Sequence, residues 1–169
     1  MGGLPAPCLG QTKQFGCNTC NISQTGAWAP PPGYMYFLDL GLAAGLSRFF
    51  RAKRVTEVGA GLGCYTAALR DAGISIRGYD GMPGVARRTG GLVRRADMVE
   101  DLSGRLPRSD WVLALEIAEH VPKSQEKWLL ANLHAGNAEG ADRPERRQAR
   151  GAGEAGSPCQ PGLHSHVPL

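Results

Sequence analysis

The chain has 169 residues, 42% of them hydrophobic and 20% charged, with a formal net charge of +4. That is the size of one domain, and no run approaches the ~18 apolar residues of a membrane-spanning helix. The basic excess comes without interleaved aromatic residues, so it reads as a solvated face and not as a nucleic-acid surface.

Residues 1–33 are punctuated by Pro5, Pro7, Pro30, Pro31 and Pro32 and show no periodicity, so an irregular segment is expected. No charged stretch followed by an apolar run marks a signal peptide. Cys17 and Cys20 form a C-x-x-C pair, but there is no second pair to complete a four-ligand zinc site. Five cysteines without a signal segment read as loop thiols in a reducing compartment, the cytoplasm, with no metal. Residues 34–50 follow with apolar Phe37, Leu38, Leu42, Leu46 and Phe49, a helical pattern. Gly41 and Gly45 weaken the alternative of a membrane-surface helix.

Val55, Thr56 and Val58 then form a short β-branched strand that runs into a glycine-dense turn and a second helix. The spacing is Glu57-x-Gly59-x-Gly61-x-Gly63. Glycines there let the backbone adopt positive φ and come close to a ligand. A dinucleotide fingerprint would place its third glycine at Cys64, and a carboxylate at Glu57 would repel a pyrophosphate. A cofactor with a cationic amino group would accept it. A plain structural turn is the competing reading.

Residues 74–79 alternate as a second strand and end on Asp80. Its carboxylate can accept both hydroxyls of a ribose, although Asp80-Gly81 is also turn chemistry. After a short basic helix, residues 92–96 give a third strand that ends on Asp97, with Met98 beside it and Asp101 as a nearby rival. Residues 110–115 are a nearly continuous apolar run, as expected of a parallel strand buried on both faces. Glu116 follows, then Glu119-His120-Val121-Pro122.

The glycine spacing, the acids ending strands two and three, and the acid with Glu-His-Val-Pro after strand four occur in a fixed order. Together they resemble the class I S-adenosylmethionine-dependent methyltransferases over residues 37–134. The resemblance implies an α/β fold with a Rossmann-like parallel sheet and S-adenosyl-L-methionine as cofactor. It implies Glu57, Gly59, Gly61 and Gly63 under the methionine end, Asp80 at the ribose, and Asp97 with Met98 at the adenine. It also implies Glu116 as a floor residue, and Glu119 and His120 as substrate-side groups. Imidazole exchanges protons near neutral pH, so His120 is a candidate general base; a structural histidine is the alternative.

The family sheet has seven strands in the order 3-2-1-4-5-7-6, and only strands one to four are legible here. Residues 124–134 read as an amphipathic helix with Trp128, Leu129 and Leu133 on one face. Residues 135–169 are rich in Gly, Pro and Arg and have no strand-like run, so disorder is expected. The expectation is an irregular segment 1–33, a partial cofactor-binding domain 34–134 and a tail 135–169, truncated and weakly active or inactive. The methyl acceptor is undefined. An exposed edge on strand four invites aggregation or a protein partner, so a non-catalytic partner-binding fragment is one alternative. An NAD-dependent oxidoreductase is the other.

Overall fold

The computed structural model describes Cys8 and residues 20–34 and 36–137. The expected tail therefore lies outside the described residues from residue 138 onward, as do Cys17 and Cys159. Four parallel strands form the central sheet: β3 (Arg54–Val58), β4 (Ser75–Asp80), β5 (Val93–Arg95) and β6 (Trp111–Ala114). Their spatial order is β5-β4-β3-β6, which is the 3-2-1-4 portion of the expected sheet.

β3 forms the centre because Val55, Thr56 and Val58 are stiff, β-branched and buried. It pairs in parallel with β4 on one side, through Val55 opposite Ile76, and with β6 on the other, through Val55 opposite Trp111. Alternation then assigns the faces. Val55, Ile76 and Leu113 pack with Phe50, Leu69 and Ile74 under helix α2 (Cys64–Asp71). Val58 and Tyr79 pack on the opposite face with Met98, Leu102, Leu106 and Leu129 of helix α4 (Glu126–Gly136).

Helix α1 is shorter than expected, Leu40–Phe49, because Asp39 caps it by accepting from the Leu42 N–H at 2.9 Å. Of its expected apolar face, Phe37, Leu42 and Phe49 are exposed, Leu46 is half-buried and Leu38 is buried. Helix α3 (Val85–Arg88) is the short basic helix. Helix α4 runs to Gly136, two residues beyond the expected end, and Asn137 bridges Ser109.

Three expectations change. Residues 21–29 are not irregular: β1 (Asn21–Ile22) and β2 (Trp28–Ala29) pair as a small antiparallel hairpin. β6 is not buried on both faces. Among the described residues it pairs only with β3, and Trp111 and Ala114 are exposed. The cysteines are not all free thiols. Cys8 and Cys64 form a disulfide with a Cα–Cα distance of 5.4 Å, and Cys20 is also disulfide-bonded. Disulfides of this kind persist in oxidising surroundings, so the thiol-based reducing-compartment reading loses its basis. No described helix is long and apolar enough to cross a membrane.

The buried Asn132 of α4 holds the segment after β5. Its side-chain amide donates to the carbonyls of Met98 and Glu100, both at 2.8 Å, and its oxygen accepts from the Leu102 N–H at 3.2 Å. Each buried group left without a partner costs about 1–3 kcal/mol. Asn132→Ala should therefore lower the urea midpoint clearly, whereas Leu130→Ala, at an exposed position of the same helix, should hardly move it. Equal midpoints for Asn132→Ala and the parent protein would show that α4 does not brace this segment.

Candidate functional site

The C-terminal ends of all four parallel strands open into one cleft of about 220 Å³. It lies where the strand order reverses between β3 and β6, the usual ligand position in open α/β sheets. Its floor is the glycine turn after β3. Gly59 and Gly61 line the cleft with φ of 68° and 55°, and a Cβ on Gly61 would stand 2.7 Å from the Tyr36 ring. Gly63 does not line the cleft. It starts helix α2 and packs against Leu92 and Val93.

Asp80 ends β4 and lines the cleft. One carboxylate oxygen accepts from the Gly61 N–H at 2.7 Å and the other from the Met82 N–H at 2.7 Å. Burial pushes its pKa up; the two N–H groups pull the other way, and nearby Asp97 adds to the rise. Asp97 is buried beside Gly81, accepting from the Thr25 hydroxyl at 2.7 Å and the Val99 N–H at 3.4 Å. Met98 lines the same end of the cleft. Asp101 is outside it, exposed and bonded to the Ser103 N–H.

The segment after β6 adds Glu116, Ile117 and His120 to the lining. Glu116 is exposed and has φ 52°, a left-handed conformation that costs a non-glycine residue about 1–3 kcal/mol. The His120 ring lies 4.8 Å from the Trp28 ring. Glu119 is outside the cleft, 3.8 Å from the His120 imidazole.

Glu57 does not line the cleft either. It shares the α2-covered face of β3 with Val55, is 3% exposed, and accepts from the Thr66 hydroxyl at 2.5 Å. Burial raises its pKa to about 7, against the Thr66 bond that lowers it, with Asp80 adding to the rise.

The sequence reading missed the near wall, which comes from the N-terminal segment: Thr25, Gly26, Trp28, Tyr34 and Tyr36. The hairpin turn presses on the loop after β6, where a Cβ on Gly26 would stand 2.1 Å from the His120 carbonyl oxygen. Arg88 fastens the segment by donating to the Pro30 carbonyl at 2.8 Å. The Trp28 indole N–H is buried without a hydrogen-bond partner among the described residues. Tyr36, beside Asp80, has its pKa raised, mainly by burial. The only sequence signal for this wall was a Thr-Gly turn followed by aromatic residues in a polar stretch. Among the described residues, no three of His, Cys, Asp and Glu group as a metal site.

This is a class I methyltransferase-like fold with a cleft at the topological switch point. The glycopeptide N-methyltransferase complexed with sinefungin has a TM-score of 0.50 and 17% identity over 66% of this chain and 56% of its own. Magnesium protoporphyrin IX methyltransferase from Synechocystis PCC 6803, with bound S-adenosylmethionine, has a TM-score of 0.45 and 16% identity over 58% of this chain and 54% of its own. An S-adenosylmethionine-dependent methyltransferase from Geobacter sulfurreducens, in complex with S-adenosyl-L-homocysteine, has a TM-score of 0.37 and 18% identity over 59% and 46%. The chain thus spans about half the length of the structures it matches. No protein-family model matches it, and neither does any curated protein sequence.

The Glu57 environment sets a pH dependence. A carboxyl whose folded pKa is raised from 4.5 to about 7 binds its proton more tightly in the folded state. Its stabilising contribution is complete below pH ~4.5 and is lost as pH rises through ~7. Glu57→Gln keeps an acceptor for Thr66 and removes the charge. It should be more stable than the parent at pH 8, by an amount on the order of 3 kcal/mol, with the difference shrinking toward pH 5. Urea denaturation at the two pH values checks this, and a difference that does not change with pH would refute it.

Proposed function

We propose that the cleft binds S-adenosylmethionine and that the chain serves methyl transfer to an acceptor at the β6 end. The observation that carries this reading is Asp80, a carboxylate held at the end of the strand beside the glycine turn and facing the cleft. Each of its oxygens keeps a lone pair beyond its backbone partner, so both can accept ribose hydroxyls. Asp97 and Met98 then stand at the adenine, and Gly59 and Gly61 offer bare backbone to the rest of the cofactor.

The charges in the cleft fit this ligand better than a dinucleotide. Among the described residues, Asp80, Asp97 and Glu116 line it, and no Lys or Arg does. A pyrophosphate would meet three carboxylates without a counter-charge, whereas a cationic cofactor is attracted by them. The partnerless Trp28 N–H supplies a donor. The glycopeptide N-methyltransferase of the same fold is complexed with sinefungin, which supports the same ligand class. When bound, the cofactor supplies an electrophilic methyl group on positively charged sulfur. The chain's own part is to orient and to exclude water: the hairpin and Tyr36 cover the cleft, and His120 stands at the acceptor end to take a proton. We read Glu57 as fastening α2 to β3 through Thr66, not as holding the methionine end.

Calorimetric titration with S-adenosylmethionine, and separately with NAD, tests the reading. Binding of S-adenosylmethionine alone is expected. Asp80→Ala removes a charge-assisted contact of about 1.5–3 kcal/mol, so affinity should fall by at least tenfold, with thermal melting to separate lost binding from lost folding. Preferential binding of NAD, or a folded Asp80→Ala variant with parental affinity, would overturn it.

A further inference from the structure

We infer that the methyl acceptor is an amine, met by Glu116 as its counter-ion and by the Trp28 and His120 rings as its wall; this rests on the cofactor reading above. The three carboxylates of the cleft are not equivalent. Asp80 and Asp97 already accept hydrogen bonds from Gly61, Met82, Thr25 and Val99. Glu116 makes no hydrogen bond or ion pair among the described residues, yet it stands in the cleft wall in a left-handed conformation. A backbone conformation that disfavours every side chain but glycine, kept for an unpaired carboxylate, is the mark of a group placed for a ligand.

The position of Glu116 selects the ligand. The next residue, Ile117, packs on the glycine turn, where a Cβ on Gly59 would stand 2.9 Å from its Cδ1. Glu116 is thereby kept beside the turn that holds the reacting end of the cofactor, and it shares the cleft lining with Trp28 and His120, whose rings stand 4.8 Å apart. Ring faces and a carboxylate together attract an ammonium group. A carboxylate or phosphate acceptor would add negative charge to a cleft whose lining holds no Lys or Arg among the described residues. A neutral alcohol would gain a hydrogen bond from Glu116 but neither an ion pair nor attraction to the Trp28 ring face. The step balances for an amine. The docked ammonium gives a proton to His120, and the freed lone pair forms the new N–C bond to the methyl group. The C–S bond breaks with its electron pair going to sulfur, leaving a neutral thioether and a methylated ammonium.

The test uses the chain loaded with S-adenosylhomocysteine and titrated with benzylamine, benzyl alcohol or benzoate, followed by calorimetry and the indole NMR signals. Benzylamine should bind best and benzoate not at all, and Glu116→Gln should weaken benzylamine by about tenfold or more. Glu116→Gly should lose the amine equally while melting at a higher temperature, since glycine accepts the left-handed conformation without strain. Benzoate binding as tightly as benzylamine, or Glu116→Gln retaining benzylamine affinity, would overturn the inference. So would a variant that loses S-adenosylhomocysteine while keeping the amine, because Glu116 would then serve the cofactor. Failure of the parent chain to bind S-adenosylhomocysteine removes both readings; intact cofactor binding without amine preference removes this one alone.

Discussion

The carboxylate of Asp80 is the tie on which the cleft depends. It accepts from Gly61 in the turn after β3 and from Met82 in the turn after β4, at 2.7 Å each. One side chain thus sets the spacing of the two crossover turns that frame the ligand floor. Burying a carboxylate is costly unless its oxygens are satisfied, and two backbone N–H groups do that here. The raised pKa of Asp80 shows that they offset the desolvation only in part. The remaining imbalance is what a ribose, offering two more hydroxyl donors, would reduce. Gly81 completes the arrangement: a Cβ there would stand 3.0 Å from Ala27 and 3.3 Å from the Asp97 carboxyl carbon, so a larger residue would push the hairpin off the floor.

The sheet was legible in the sequence for a physical reason. A β-branched run marked β3 and alternation marked β4, so both could be placed within a residue of their observed ends. Acids at strand ends were legible too, because the switch point puts the ends of neighbouring strands side by side. The direction of individual side chains was not. Glu57 lies between Thr56 and Val58, and alternation puts it on the same face as Val55, but nothing in the pattern says that helix α2 covers that face. The wall contributed by the hairpin was equally hidden. Two-residue strands carry no periodicity, and the bond that anchors Thr25 reaches across 72 positions to Asp97. The Cys8–Cys64 link spans 56 positions, and only the fold brings those two residues together.

That disulfide has a place in the same architecture. Cys64 is the first residue of α2, directly after the glycine turn. Cys8, Leu38, Ala43 and Cys64 form a buried cluster against which Tyr36 and Tyr65 pack. Tyr36 in turn rests on Gly61. The N-terminal segment is therefore held at one end by a covalent bond beside the glycine turn, and further along by Arg88 at Pro30 and Asp97 at Thr25. Residues 20–34, whose regular structure is a hairpin of two-residue strands, would otherwise lose much conformational entropy for few contacts. The cross-link restricts them before those contacts form.

The distribution of cost across the cleft separates scaffold from ligand-facing groups. Glu57, Asp80 and Asp97 are each satisfied by donors from the chain itself, so their carboxylates belong to the folded framework even where they also face the cleft. Glu116 is the exception. It bears backbone strain, forms no compensating bond among the described residues, and lies two residues beyond the end of β6. A folding sequence optimised for stability alone would place glycine or asparagine there. Persistence of a glutamate at that φ means that the preference of its backbone is overridden by the segment on either side, with Ile117 wedged against Gly59 and His120 against Trp28 and Gly26. The strain at Glu116 is thus sustained by contacts made one and four residues after it, and those of His120 involve the same hairpin that walls the cleft. The position of the Glu116 carboxylate and the near wall of the cleft are in this way set by one set of packing contacts.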